Sequence, residues 1–371
     1  MPFDFEEFRK IAKSNNHSEE YIFETIKYAE KLNKKDLPVI FSTVHLAIEL
    51  KIPSNILNSL LKSYNYTFFN LHKRSGGFRE IMVPNEKLKY VQRWINFNIL
   101  QKLPLEKVCT GFRPNYSILT NANIHANSKM VLKVDLLRFF DTITDRRVYG
   151  YFKSLGYLKP LSYDLAKLVT ARHKKSYWDF VSKDNCPQLA DIANSNSPVL
   201  PQGAPTSPML ANLLASRMDE RFIILSQKLN FRYSRYADDL TFSITEEGQL
   251  PFTRVIKKII EEEGFFMNDS KTKIFSRGMK QYVTGLTVTH GVHVSKKDRK
   301  DIFMHLHFCK KLGPNEHLKN WSKKNGLNRE PYGFQDWLLG KISFIYSIDK
   351  IIGTKMFKEF DKINWSFENS N

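Results

Sequence analysis

Only three cysteines occur in 371 residues, and Cys109, Cys186 and Cys309 lie far apart in no CxxC or Cys/His pattern. Neither a disulfide framework nor a zinc site is indicated, and a reducing cytoplasm fits. No stretch approaches the roughly 18 apolar residues of a membrane span. The opening MPFDFEEFRK is acidic and lacks the basic start and apolar core of a secretory signal, so the chain is expected to be soluble, with no membrane partner. Low-complexity tracts and internal repeats are missing as well. Acidic residues are scarce beside basic ones, 38 against 57, which gives a net charge of +19. That excess is larger than solubility requires and makes a polyanion, nucleic acid above all, the expected partner. Rings on which bases can stack are plentiful, with 28 Phe and 16 Tyr.

A chain of this length exceeds one ordinary core, so two or three domains or subdomains are expected. Residues 1–64 read as charged helices without recognisable chemistry. From residue 66, YTFFNLHK, the turn RSGG and FREIMVP predict a β-hairpin, because Gly76 and Gly77 supply the positive φ of a tight turn. Pro84-Asn85 then opens a helix with Leu88, Val91, Ile95 and Ile99 on one stripe. MVLKVDLLRFF at 130–140 predicts a buried strand carrying one acid, Asp135, near its end. Residues 172–199 lose periodicity and gain Asn, Ser and Pro, which predicts a surface insertion. A Gly/Pro loop at 200–205 runs into a helix, and two strand-like runs flank YADD at 236–239. A helix near 252–263 and a strand pair around QYVTGLTV and GVHVS follow, and the chain beyond about 295 is helical and basic.

A hairpin turn rarely needs two adjacent carboxylates, yet Asp238 and Asp239 stand at one. With Asp135, about a hundred residues away at another strand end, they can hold two Mg²⁺ ions, since magnesium takes hard oxygen ligands and is usually bound by one or two carboxylates plus substrate phosphates. Two such ions serve an in-line phosphoryl displacement. Asp-Asp is also a common turn dipeptide, and on its own it leaves both readings open.

Together these residues resemble a family. YADD is similar to the signature hairpin of reverse transcriptases, VDLLRFFDTI from Val134 to their first catalytic strand, LPQGAPTSPMLANL at 200–213 to their nucleotide-pocket loop, and NDSKTKI at 268–274 to their lysine motif. The resemblance covers about 66–290 in order and spacing. Within the family the finer resemblance is to the bacterial retron reverse transcriptases. NANIH at 121–125 resembles their Asn-Ala-x-x-His motif, VTG at 283–285 their Val-Thr-Gly motif, and FQDWLLGKISFIYSID at 334–349 their thumb helix. The 172–199 insertion and the long N-terminal extension depart from the pattern.

The resemblance implies an α+β right-hand polymerase fold: an N-terminal helical extension over 1–64, fingers and palm (an antiparallel sheet with helices) over 65–290, and a helical basic thumb over 291–371. It assigns Asp135, Asp238 and Asp239 to the metals, with Asp239 the less directly coordinating. Arg79 would bind the incoming triphosphate bidentately, with Lys73 and Arg74 nearby. Phe140, five residues past Asp135, would exclude a 2′-OH; since neighbouring strand residues face opposite ways, only one of Phe139 and Phe140 is expected in the core. Gln202, Gly203 and Ala204 would let backbone approach nucleotide and template, and Lys271 would neutralise or protonate departing pyrophosphate. Asn121 and His125 are RNA-facing or structural. Val283, Thr284 and Gly285 belong to a primer-contacting strand pair, with Gly285 allowing close backbone approach. Lys296, Lys297, Arg299 and Lys300 begin a thumb that tracks phosphates of an RNA or hybrid duplex.

The implied activity is RNA-templated DNA synthesis from deoxynucleoside triphosphates, on a structured non-coding RNA primed from the 2′-OH of an internal guanosine. The product is branched, RNA-linked single-stranded DNA (msDNA), made in antiphage defence alongside an effector. A group II intron reverse transcriptase is the rival enzyme, disfavoured because the chain ends after the thumb without room for maturation and endonuclease domains. A rival of another class is an RNA–DNA-bound scaffold that restrains an effector. Neither the first 64 residues nor the insertion carries a catalytic constellation, so the effector is expected to be a separate polypeptide docking on one of them, and higher-order assembly is compatible with this.

Overall fold

The computed structural model describes residues 3–72, 78–183, 187–325 and 331–365. Four helices come first: α1 (Phe5–Ser14), α2 (Glu19–Asn33), α3 (Thr43–Glu49) and α4 (Ser54–Lys62). Side-chain caps start three of them, with Asp4, Ser18 and Ser42 each accepting from backbone N–H groups of the first turn. The expected hairpin follows as β1 (Tyr66–His72) and β2 (Phe78–Pro84), paired antiparallel; its Gly76-Gly77 turn, with Lys73 and Arg74, lies outside the described residues. Asn85 caps α5 (Glu86–Asn98) by accepting from Leu88 N–H, and the stripe Leu88, Val91, Ile95 and Ile99 is buried as read.

α6 (Ile118–Ile124) precedes β3 (Met130–Leu136), which carries Asp135. Next come α7 (Asp145–Leu155), α8 (Lys159–Val169), α9 (Lys175–Lys183), α10 (Ala190–Ser195), α11 (Ser207–Leu214) and α12 (Ser216–Leu229). The sheet is completed by β4 (Arg232–Tyr236), β5 (Asp239–Ile244) and, after α13 (Thr253–Glu262), β6 (Met267–Ser276). Its four strands run β4-β5-β3-β6, antiparallel throughout. A short pair, β7 (Tyr282–Val283) and β8 (Leu286–Thr287), leads to α14 (Lys296–Leu312), α15 (Pro314–Asn325), α16 (Pro331–Ile348) and α17 (Lys350–Phe360). Among the described residues no helix is long and apolar enough to cross a membrane.

One apolar core runs from Leu32 to Met267 and joins α3 and α4 to α5, α7, α8, α11 and the sheet. A second core gathers Val283, Leu286 and Val288 with α14, α16 and α17, and reaches back to Ala122 of α6 and Val131 of β3. The stretch expected as an aperiodic insertion instead forms α9 and α10 around a small core of its own, where Trp178 and Val181, three apart on one helix face, meet Leu189. Asn196, in the left-handed region at φ +43°, caps the C-terminal end of α10; Cys186 lies outside the described residues.

Candidate active site

Period-2 alternation on β3 places Lys133 and Asp135 on one face, and the register sets Asp135 opposite Asp239 on β5. Asp238 occupies the β4–β5 turn, where Ala237 takes φ +56° and Leu136 N–H donates to the Asp238 carbonyl at 2.8 Å. Three carboxylates thus collect at one end of the sheet. Lys133 Nζ lies 2.8 Å from Asp239 Oδ2, and Lys271 Nζ, from β6, lies 2.9 Å from Asp135 Oδ1. Asn268 Nδ2 adds a 3.3 Å hydrogen bond to the same Asp135 oxygen. Asp238 has no ion-pair partner among the described residues; burial, and then the negative charge of Asp135, push its carboxyl above the usual range. Burial raises Asp239 too, against the opposing pull of Lys133.

A cavity of about 310 Å³ opens here, lined among others by Lys133, Asp135, Asp239, Lys271, Phe275 and Tyr282. No group of three or more His, Cys, Asp or Glu among the described residues forms a ready-made metal cage. The donor set nevertheless fits magnesium, which needs few protein oxygens when substrate phosphates and waters complete its shell. Two flexible lysines facing three partly desolvated carboxylates leave a charge deficit that a divalent cation would fill.

Beneath the turn, Arg235 and Asp219 are fully buried and form a bidentate ion pair, Nε–Oδ1 2.9 Å and Nη2–Oδ2 2.6 Å. Arg235 Nη1 also donates to Asn212 Oδ1 at 2.8 Å, and Asp219 accepts from Tyr233 OH. Sequence reading missed this pair, as it missed Lys133, whose position two residues before Asp135 was the available signal.

The loop of Gln202, Gly203 and Ala204 meets the β1–β2 hairpin, not open space. Met82 N–H donates to the Gln202 carbonyl at 2.7 Å, and a Cβ at Gly203, where φ is +122°, would lie 2.9 Å from both the Met82 carbonyl oxygen and Ile81 Cγ2. Ala204 is buried and Gln202 half-buried, whereas Arg79 is exposed three residues from Met82. Phe140 is half-buried against the main core and Phe139 is 2% exposed. The strand argument for that difference fails, because β3 ends at Leu136 and both rings sit on a tight turn in which Arg138 takes φ +44°. Neither Arg79 nor Phe140 lines the cavity above.

Asn121 and His125 are both buried, at 1% and 0% exposure. Asn121 on α6 and His125, the residue that caps its C-terminal end, both turn toward the catalytic hairpin. Ser234 Oγ donates to Asn121 Oδ1 at 2.7 Å, so it accepts from His125 Nε2 at 2.8 Å, and His125 Nδ1 accepts from Ser243 Oγ at 2.7 Å. Burial pushes the His125 pKa down to about 3, which keeps the ring neutral. The other motif grips the same helix. Thr284 Oγ1 donates to the Ile118 carbonyl at 3.0 Å, and Val283, fully buried, joins Ala122 in the second core. A Cβ at Gly285 would meet no other protein atom within 4 Å, and its φ of +82°, beside +46° at Thr284, is what the two-residue turn demands.

Lys296, Lys297 and Arg299 line a cleft of about 740 Å³ together with Arg277, Lys280 and His293, between the end of β6 and the start of α14. Lys300 is exposed outside that lining.

Residues 71–298 match the family model of reverse transcriptase (RNA-dependent DNA polymerase), more than half of the chain. The chain belongs to the reverse transcriptase family, and its mixed helix-and-sheet architecture is the right-hand polymerase fold. Among its relatives it is 31% identical over 299 residues to the retron Ec86 reverse transcriptase of Escherichia coli, covering 78% of this chain and 86% of that protein. It is 37% identical to the retron Mx162 and Mx65 reverse transcriptases of Myxococcus xanthus, over 60% and 66% of this chain, and spans only 47% and 56% of their length. The subfamily is that of the retron reverse transcriptases.

Proposed function

We propose that the chain is an RNA-directed DNA polymerase that copies part of a structured non-coding RNA into branched msDNA, starting from an internal guanosine 2′-OH. The observation that carries this reading is the under-compensated trio Asp135, Asp238 and Asp239 at one sheet end. Two Mg²⁺ ions bound there would activate the attacking hydroxyl and stabilise the leaving oxygen. Lys271, its side chain 62% exposed, is positioned to exchange Asp135 for departing pyrophosphate. Arg79 would hold the triphosphate, the loop at Gln202–Ala204 would floor the nucleotide site through its bond to β2, and Phe140 would exclude ribonucleotides. The basic cleft at Lys296, Lys297 and Arg299 supports phosphate contacts to RNA or hybrid. We divide the chain into an N-terminal extension to 64, fingers and palm to 290, and thumb beyond. We place the protein in the cytoplasm, where the RNA–DNA complex serves antiphage defence with a separate effector polypeptide.

Sequencing the nucleic acid that copurifies with the protein tests this directly. The parent should bring down one RNA covalently joined to single-stranded DNA complementary to part of it. Asp238→Asn/Asp239→Asn should bring down RNA alone, since Asn is well tolerated in turns. Parent-level DNA in the double variant would refute the metal assignment.

A further inference from the structure

His173, just past α8, is buried with both ring nitrogens facing carboxylates: Nδ1 is 2.7 Å from Glu80 Oε2 of β2, and Nε2 is 3.4 Å from Asp141 Oδ1 on the turn after β3. The three side chains are 1%, 9% and 1% exposed respectively. A neutral imidazole has one N–H and would leave one carboxylate facing a bare nitrogen lone pair, so the arrangement is satisfied by the doubly protonated cation. The surroundings are built to hold it. Tyr177 of α9 stacks on the ring at 3.7 Å between centroids and donates a short hydrogen bond to Asp141, while Arg138 donates to Tyr177 OH at 3.0 Å and stands 3.8 Å from Asp141. Trp178 closes the edge, and Tyr64, from the segment before β1, faces Glu80. Of the adjoining cations, Arg172 turns to the Asn196 carbonyl and Lys174 to the Phe68 ring. Two anions, Glu80 and Asp141, are thus matched by two cations, His173 and Arg138.

The two carboxylates are the immediate neighbours of Arg79 and Phe140. We propose that His173 is a positioning residue for the incoming nucleotide: clamped between Glu80 and Asp141, it fixes the fingers hairpin that carries Arg79 against the palm turn that carries Phe140. This rests on the nucleotide roles proposed above for those two residues. Burial opposes charging of the ring, but the hydrogen bonds and charges of Asp141 and Glu80 prevail, and its pKa lies above the usual value. A raised histidine pKa means the clamp is intact below the ordinary value and is lost as pH climbs through the raised one.

The test is single-nucleotide extension of an oligo(dT) primer on poly(rA), with KM for dTTP and kcat measured across pH, alongside NMR titration of the His173 ring. In the parent, KM should rise at alkaline pH as the ring titrates. Glu80→Gln removes one anion, and both the ring titration and the KM rise should move about one pH unit lower. His173→Gln should raise KM about tenfold at neutral pH, flatten its pH dependence and change kcat less. If His173→Gln fails to fold, Glu80→Gln decides. An unmoved KM profile in Glu80→Gln overturns the positioning role, and a ring that titrates like free histidine overturns the clamp. A parent that incorporates nothing on any RNA template overturns the polymerase reading and the nucleotide role with it, while the ring titration separately decides the clamp.

Discussion

Replacing Asp219 by Asn removes the anion from beneath the Asp238–Asp239 turn while keeping the side chain's shape. Arg235 and Asp219 have no exposed side-chain surface, and the guanidinium meets both carboxylate oxygens. After the substitution Arg235 keeps neutral acceptors, Asn212 Oδ1 at 2.8 Å, Cys109 Sγ at 3.3 Å and the Ala237 carbonyl at 3.3 Å. It loses its only full counter-charge within the described pairings, and the new amide presents N–H where one oxygen had accepted. Breaking a buried pair from one side costs about 3–5 kcal/mol, a large part of the 5–15 kcal/mol by which domains are typically stable. Asp219→Asn should lie near the lower end because hydrogen-bonding capacity partly survives, and Asp219→Ala near the upper. Urea unfolding followed by circular dichroism reads the stability, and primer extension reads the turn. Adding Arg235→Met to Asp219→Asn should restore part of the loss, since no unpaired charge then remains. An Asp219→Asn protein within about 1 kcal/mol of the parent and fully active would refute the view that this pair holds the turn.

Two further outcomes follow from the described geometry. Phe140→Ala should raise ribonucleotide relative to deoxyribonucleotide incorporation in primer extension; unchanged discrimination would remove the gate from this ring, and Phe139, buried in the core, is poorly placed to inherit it. His125, its pKa pushed down to about 3, binds a proton more readily unfolded than folded, so the stability it contributes at neutral pH is lost as pH falls below about 6.5, by about 2 kcal/mol at pH 5. The stability gap between parent and His125→Gln should narrow by that amount between pH 7 and pH 5, and a constant gap would refute a neutral buried ring.

What the sequence disclosed was whatever repeats locally or recurs as a motif. β3 was legible from its apolar run, the β1–β2 hairpin from its flanking strands and glycines, and α5 from Asn85 and a four-residue stripe. The acids at 135, 238 and 239 were legible as a set, and the register opposes Asp135 to Asp239. Direction was not legible. Spacing places Asn121 and His125 on one side of α6 and its C-terminal cap but does not say whether that side meets RNA or Ser234. The rings at 139 and 140 were assigned by strand alternation, which stops applying once the chain turns at Arg138. Pairings across long separations, such as Glu80 with His173 or Arg235 with Asp219, depend on which elements tertiary packing brings together, and no local pattern encodes that.

α6 has one further consequence, for how such polymerases can be recombined. Its Asn121 and His125 are hydrogen-bonded to the serines of β4 and β5, while Ile118 and Ala122 are held by Thr284 and Val283 at the root of the thumb. A thumb grafted from a relative together with β7 and β8, at a boundary near residue 281, would arrive without the seven-residue helix on which that strand pair rests. The natural module for exchange is therefore discontinuous: residues 117–128 travel with everything from 281 onward, and a chimera that respects this pairing should keep its catalytic hairpin seated where a contiguous swap would unseat it.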